Sequence, residues 1–293
     1  MNRNHEPQTL AEYVAAYALT HPLEKESVRQ YEIAVRLLDR WAGHPARLDE
    51  LDAPFLSRWI ADYSQTVAPQ TARSKRRMIV SLWRSAVDDG LADPVALMRR
   101  VRPVRCAWKP PVAWTREEVQ RLINACATIP RWHRCGLRRS EWWALAIRVA
   151  YDSGLRWEDQ MFRLRVDQIT EEGFIAWPQN KTGRVVVCQL SQPTLDALHR
   201  SLTRCPRELV TPWLGSHETF SDQVRTLVRR AGIRAGTWKW IRRAGATDCE
   251  IQEPGSAGRH LGHAPGSKLA YLAYVDPAQV AAARGKTSPR ALA

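Results

Sequence analysis

The chain has 293 residues, a formal net charge of +14, 44% hydrophobic residues and six cysteines. That length suits two domains, and that apolar content is enough for real cores, which excludes a wholly disordered chain. No apolar run approaches the roughly 20 residues of a membrane span, and no Cys-x-x-Cys spacing suggests a disulfide or metal framework.

Residues 8–105 read as a helical domain. Thr9-x-x-Glu12 is a capping-box pattern opening a helix over Leu10–Leu19, and Ser27-x-x-Gln30 repeats it before a second helix carrying Tyr31, Val35, Leu38 and Trp41 at helical spacing. Asp52 and Pro54 start a third helix with Phe55, Trp59 and Ile60. A fourth runs from Thr71 to Asp89, ends at Gly90, and buries Met78, Leu82 and Ala86; a short helix is expected near Pro94–Met98. The fourth begins with Arg73, Lys75, Arg76 and Arg77, a cation-rich helix start suited to phosphate. The stretch 101–113 holds three prolines and the cations Arg102, Arg105 and Lys109, so it reads as a stiff connection. The division expected is a domain over 1–105, a linker over 106–113 and a second domain over 114–293.

Thr115-x-x-Glu118 caps the next helix, over 116–127, and another follows over 140–152. Two β-rich runs, 174–177 and 185–190, flank a loop with Pro178, Asn180 and Gly183, which reads as a hairpin. Helices return at 193–203, 219–231, 238–252 and 267–285, with Pro254-Gly255 as a stop. The fold class is mainly α with a small β-hairpin. Met1-Asn2-Arg3-Asn4 opens without an apolar signal core, and with reduced thiols at Cys106, Cys126, Cys135, Cys188, Cys205 and Cys249 a cytoplasmic protein is expected, with no membrane contact. His260-x-x-His263, even with Cys249 as a third ligand, lacks paired zinc spacing, and Gly262–Lys268 has the wrong spacing for a nucleotide-phosphate loop; no metal and no cofactor are expected.

The charge is uneven: residues 1–105 hold 16 Lys+Arg against 13 Asp+Glu, the remainder 28 against 17. A surplus of that size favours a polyanionic partner held in a salt-dependent way. It coincides with five ordered stretches: Ser153-Gly154-Leu155-Arg156, Asn180-Lys181-Thr182-Gly183-Arg184, Lys239-Trp240-Ile241-Arg242, Leu261-Gly262-His263 and Tyr274-Val275-Asp276-Pro277. Their arginines, lysines, histidine and tyrosine are the side chains needed to cut a phosphodiester without metal.

These stretches, with Leu164-Arg165-Val166-Asp167-Gln168-Ile169 after the first, make the second domain resemble the catalytic domain of the tyrosine recombinases, or phage-integrase family. The end of the first domain is similar to that family's core-binding domain. The resemblance implies a helical, SAM-like core-binding domain followed by a mixed α+β catalytic domain. It implies that Arg156 and Arg242 hold the scissile phosphate and that Lys181 protonates the departing 5′-oxygen. Lys239, where the family usually has histidine, would accept a proton or add charge, and His263 would hydrogen-bond the phosphate. The nucleophile is expected at Tyr274, eleven residues after His263, with Tyr271, at eight, as its rival; Leu272 occupies the family's usual position. Arg73, Lys75, Arg76, Arg77, Arg105 and Lys109 would contact DNA. The activity implied is site-specific recombination of double-stranded DNA through a 3′-phosphotyrosyl intermediate by a homotetramer on two DNA sites. A cleavage-deficient DNA-binding accessory protein and a type IB topoisomerase-like enzyme are the alternatives.

Overall fold

A computed structural model describes residues 8–94, 100–179 and 183–285. The chain divides into two compact units, Met1–Trp108 and Lys109–Ala293. Among the described residues no helix is long and apolar enough to cross a membrane.

The first unit is helical. α1 (Leu10–Thr20) opens with the expected capping box, Thr9 Oγ1 accepting from Glu12 N at 3.2 Å and Glu12 Oε2 from Thr9 N at 2.8 Å. α2 (Lys25–Ala42) corrects the sequence expectation. It starts with Glu24 as its cap, Ser27 lies inside its first turn, and the Gln30 amide donates to Glu26 at 2.8 Å rather than closing a box. α3 (Ala53–Thr66) is capped by Asp52 Oδ1, which accepts from Phe55 N at 2.6 Å. α4 (Pro69–Asp88) begins two residues before Thr71, because Pro69 fits the first turn, where no N–H is needed. Leu10, Leu38, Leu56, Trp59, Ile79 and Trp83 fill the core, and Tyr13 Oη donates to Asp89 Oδ2 at 2.6 Å, tying α1 to the end of α4. Most of the helix expected near Pro94–Met98 lies outside the described residues.

In the second unit α5 (Arg116–Ala125) carries the Thr115–Glu118 box, and Arg234 Nη2 donates to Glu118 Oε2 at 2.7 Å. α6 (Arg139–Ser153) is the central element. Trp142, Trp143 and Ile147 face one apolar cluster and Leu145 and Val149 another. A helix buried on two sides needs no polar stripe. α7 (Trp157–Phe162), absent from the sequence expectation, follows directly. β1 (Phe174–Pro178) pairs antiparallel with β2 (Val185–Gln189), Phe174 opposite Gln189 and Pro178 opposite Val185. Ile175, Trp177, Val186 and Cys188 point inward. α8 (Gln192–Arg204), α9 (His217–Ala231) and α10 (Lys239–Gln252) complete the main layers. α11 (Ala257–His260), α12 (Leu269–Ala273) and α13 (Pro277–Arg284) close the described chain.

The single helix expected over 267–285 is thus two short ones. Pro277 cannot donate an N–H to a continuing helix. Asp276 caps α13, its Oδ1 accepting from Ala278 N at 3.0 Å, while its Oδ2 accepts from Ala113 N at 3.0 Å. The break frees Tyr274 from helical geometry and leaves it at the end of α12.

Candidate active site

The turn at Gly154 (φ 56°) ends α6 and delivers Arg156 to the start of α7. The Arg156 side chain is 28% exposed, and its Nη1 lies 3.9 Å from Asp159 Oδ2, too long for a hydrogen bond. That Nη1 is buried and has no hydrogen-bond partner. Burial pushes the Asp159 carboxyl above its ordinary pKa, a rise that Arg156, Arg163 and Arg242 oppose.

Arg242 sits one turn into α10 and is 5% exposed. Its Nη2 donates to the Leu261 carbonyl at 3.1 Å, while its Nε is buried without a partner. Burial pulls its pKa down to about 10; charge interaction and hydrogen bonding with Tyr274 oppose the fall, and Arg156 adds to it. Lys239, at the first position of α10, is exposed.

The Tyr274 ring is where these groups meet. Its centroid lies 5.1 Å from Arg242 Cζ, 5.2 Å from Lys239 Nζ and 5.4 Å from the His263 ring, which it meets edge-on. Burial, then Arg242, Arg156 and Arg184, hold the His263 pKa below its ordinary value, so the imidazole is neutral at pH 7. Arg156, Lys239, Arg242 and Tyr274 line one cleft of about 610 Å³, whose remaining wall includes the rings of Trp157, Phe220 and Trp238. Tyr271 points elsewhere: its hydroxyl donates to Glu250 Oε2 at 3.0 Å, and burial, then this bond, raises its pKa.

Gly262 (φ 65°) sets the turn before His263. A Cβ there would fall 2.1 Å from Val186 Cγ2 and 2.6 Å from Gln179 Nε2, so only glycine lets the turn rest on the hairpin. The Leu261 carbonyl then accepts twice, from Gln179 Nε2 at 2.8 Å and from Arg242 Nη2 at 3.1 Å. One oxygen thereby fixes Arg242, the His263 turn and the hairpin stem. Lys181, expected from the sequence in the hairpin loop, lies outside the described residues.

Sequence reasoning missed Gln179 and the Leu261 carbonyl. It weighed His260 only as a metal ligand and missed its burial, with Nε2 placed where it would stand 2.7 Å from a Cβ on Gly154 and 3.0 Å from one on Gly245. Burial drops the His260 pKa to about 4, with Arg242 adding to the fall. The paired glycines in Ser153-Gly154 and Gly245 were the signal available.

The cations expected at DNA separate into two groups. Arg73, Arg77, Arg105 and Lys109 are exposed. Lys75 is not: it shares the inward face of α4 with Ala72, Ile79 and Leu82, is 7% exposed, and donates to Gln30 Oε1 at 2.9 Å. Arg76 donates to the backbone carbonyls of Val101 at 2.6 Å and Arg102 at 2.8 Å.

No protein-family model matches the chain, and no curated protein sequence does. Solved structures do. A lambda integrase dimer bound to a COC′ core site is 17% identical, with TM-score 0.68 over 98% of this chain and 81% of that one. A lambda integrase tetramer bound to a Holliday junction is 18% identical, with TM-score 0.68 over 87% of this chain and 76% of that one. The Tn1549 transposon integrase (residues 82–397) in complex with circular intermediate DNA is 13% identical, with TM-score 0.69 over 95% and 100% of the two chains. The chain has the fold of the tyrosine recombinases.

Proposed function

We propose that this chain is a site-specific recombinase that cuts and rejoins duplex DNA through a 3′-phosphotyrosyl intermediate. The observation that carries the reading is the Tyr274 ring beside Arg242, Lys239 and His263, with Tyr271 turned to Glu250. The DNA-bound state of the integrases sharing this fold supports DNA as substrate, and the lambda tetramer on a Holliday junction supports four copies acting on two sites.

In this mechanism the scissile phosphate enters the cleft between Arg156 and Arg242 and takes up their unused N–H groups. Two guanidiniums offset the charge that grows on the equatorial oxygens. His263, neutral, donates a further hydrogen bond. The Tyr274 phenol oxygen attacks phosphorus, its proton passing to water while the exposed Lys239 adds positive charge beside the ring, and the bond from phosphorus to the 5′-oxygen breaks. The 5′-oxygen leaves with a proton from Lys181. A phosphotyrosyl link keeps the energy of the cut bond, so a 5′-hydroxyl of a partner strand reverses the step and restores the phenol.

The test is trapping. A pool of nicked duplexes of random sequence loses the short fragment that would religate, so a covalent protein–DNA adduct accumulates. Tyr274→Phe is expected to abolish it and Tyr271→Phe to leave it within about twofold. An adduct that survives Tyr274→Phe overturns the assignment, and no adduct from the unaltered chain overturns cleavage itself.

A further inference from the structure

A second hollow in the same unit, of about 540 Å³, shares no residue with the cleft at Tyr274. It lies between the loop over 129–138 and the first turn of α9. Its walls include the indoles of Trp132 and Trp213, the guanidiniums of Arg134 and Arg139, and the hydroxyls of Ser216 and Thr219, with no carboxylate. Arg139 begins α6 and Arg156 follows its end, so about 22 Å of helix separates this hollow's cations from the cleft.

The charge here is predominantly positive, although Glu218 sits in the first turn of α9. Arg131, Arg134, Arg138, Arg139 and Arg230 make no ion pair among the described residues, and the nearby acid Glu141 is already paired with Arg204. Arg139 answers to Gln223, and its pKa is lowered by burial, then by Arg131 and Arg230. Clustered like charges destabilise a fold unless an anion joins them. Beside them Trp132 is 66% exposed, with Arg138 Cζ 5.4 Å from its ring centroid. An open indole among guanidiniums is a surface on which a nucleobase stacks while its phosphate meets the cations. The start of α9, capped by Ser216, adds positive potential at the same point.

We propose that this hollow binds a nucleotide whose base is unpaired, its phosphate held by Arg134 and Arg139 and its base stacked on Trp132. The inference rests on the recombinase reading only in taking a single DNA strand, rather than a free nucleotide, as the source.

The full chain is titrated against a labelled oligothymidylate, the same strand annealed to its complement, and dTMP and inorganic phosphate as competitors, with binding read by anisotropy. Trp132→Ala is expected to weaken the single strand about tenfold and the duplex less than about twofold. Trp132→Phe, which keeps a ring, restores most of the loss. Arg134→Gln with Arg139→Gln lowers the single-strand salt slope by about 0.7, the worth of the one phosphate the two arginines share. If dTMP competes as well, per nucleotide, as the strand, the site takes free nucleotides. Equal losses for strand and duplex, no loss, or inorganic phosphate competing as well as dTMP overturns the proposal. Tyr274→Phe keeps the strand-binding signal while losing the covalent adduct, so failure of either reading shows separately.

Discussion

Two groups of cations in this chain look alike as sequence and differ in what surrounds them. On α4, Lys75 is turned inward to Gln30 and Arg76 is spent on the carbonyls of Val101 and Arg102. In the cleft, Arg156 Nη1 and Arg242 Nε are buried with no partner. A buried donor left unmade costs about 1–3 kcal/mol, more when charged. Buried indole N–H groups without partners, as at Trp59 and Trp83, lie in the apolar core, whereas these two are charged and line or adjoin a cleft that an anion could enter. Density of positive charge indicates a polyanion; unused, buried hydrogen-bonding capacity indicates where it goes.

The comparison breaks at its strongest point if Tyr274, which faces the second group, is dispensable. Tyr274→Phe is expected to reduce adduct formation by at least about 10⁴-fold, since no other nucleophile replaces it. Arg242→Lys keeps the charge but loses the fork and the bond to Leu261, and a loss of about 10²–10³-fold in cleavage rate is expected from single-turnover kinetics. A smaller loss would make Arg242 a structural cation like Arg76.

The next effects are on stability. Gly262→Ala drives a Cβ into Val186 at a positive φ, and a loss of about 2–4 kcal/mol is expected in urea unfolding, with adduct yield falling in parallel. His260 is neutral in the fold, its pKa lowered from 6.5 to about 4 by burial. Because the unfolded chain binds the proton first, the stabilisation is complete above about pH 6.5 and is lost as pH falls toward 4. The change is on the order of 3 kcal/mol, and His260→Gln is expected to reduce the slope over that window without abolishing it, because burial lowers the His133 pKa to about 4 as well.

The smallest effects sharpen the α4 side. Arg73→Gln is expected to lower the salt slope of duplex binding by about 0.9, the worth of one phosphate contact. Lys75→Gln is expected to leave that slope unchanged and to cost about 1 kcal/mol of stability through the lost bond to Gln30.

Most helices were legible because their signals are local. Thr9, Asp52 and Thr115 cap the helices they announce, and Gly154 and Gly232 end theirs. The failures are local competitions: Glu24 took the cap assigned to Ser27, and Asp276-Pro277 cut a helix whose apolar pattern ran on. Lys75 could have been placed from its position in the stripe Ala72, Ile79, Leu82, but its charge argued the other way. The cleft's side chains were readable from their ordered stretches. What joins them was not, because the Gln179 bond to the Leu261 carbonyl spans 82 residues and a backbone oxygen carries no sequence signature. The contact that separates Tyr271 from Tyr274 is with Glu250, an acid that no spacing connects to either.

The most direct measurement is the identity of the attached residue. After trapping on nicked DNA, nuclease and protease digestion leave a nucleotide-bearing peptide that tandem mass spectrometry can sequence. The modification is expected on Tyr274. Finding it on Tyr271, on any serine, or on no peptide at all would contradict the proposal that Tyr274, beside Arg242 in the cleft that Arg156 also lines, is the nucleophile.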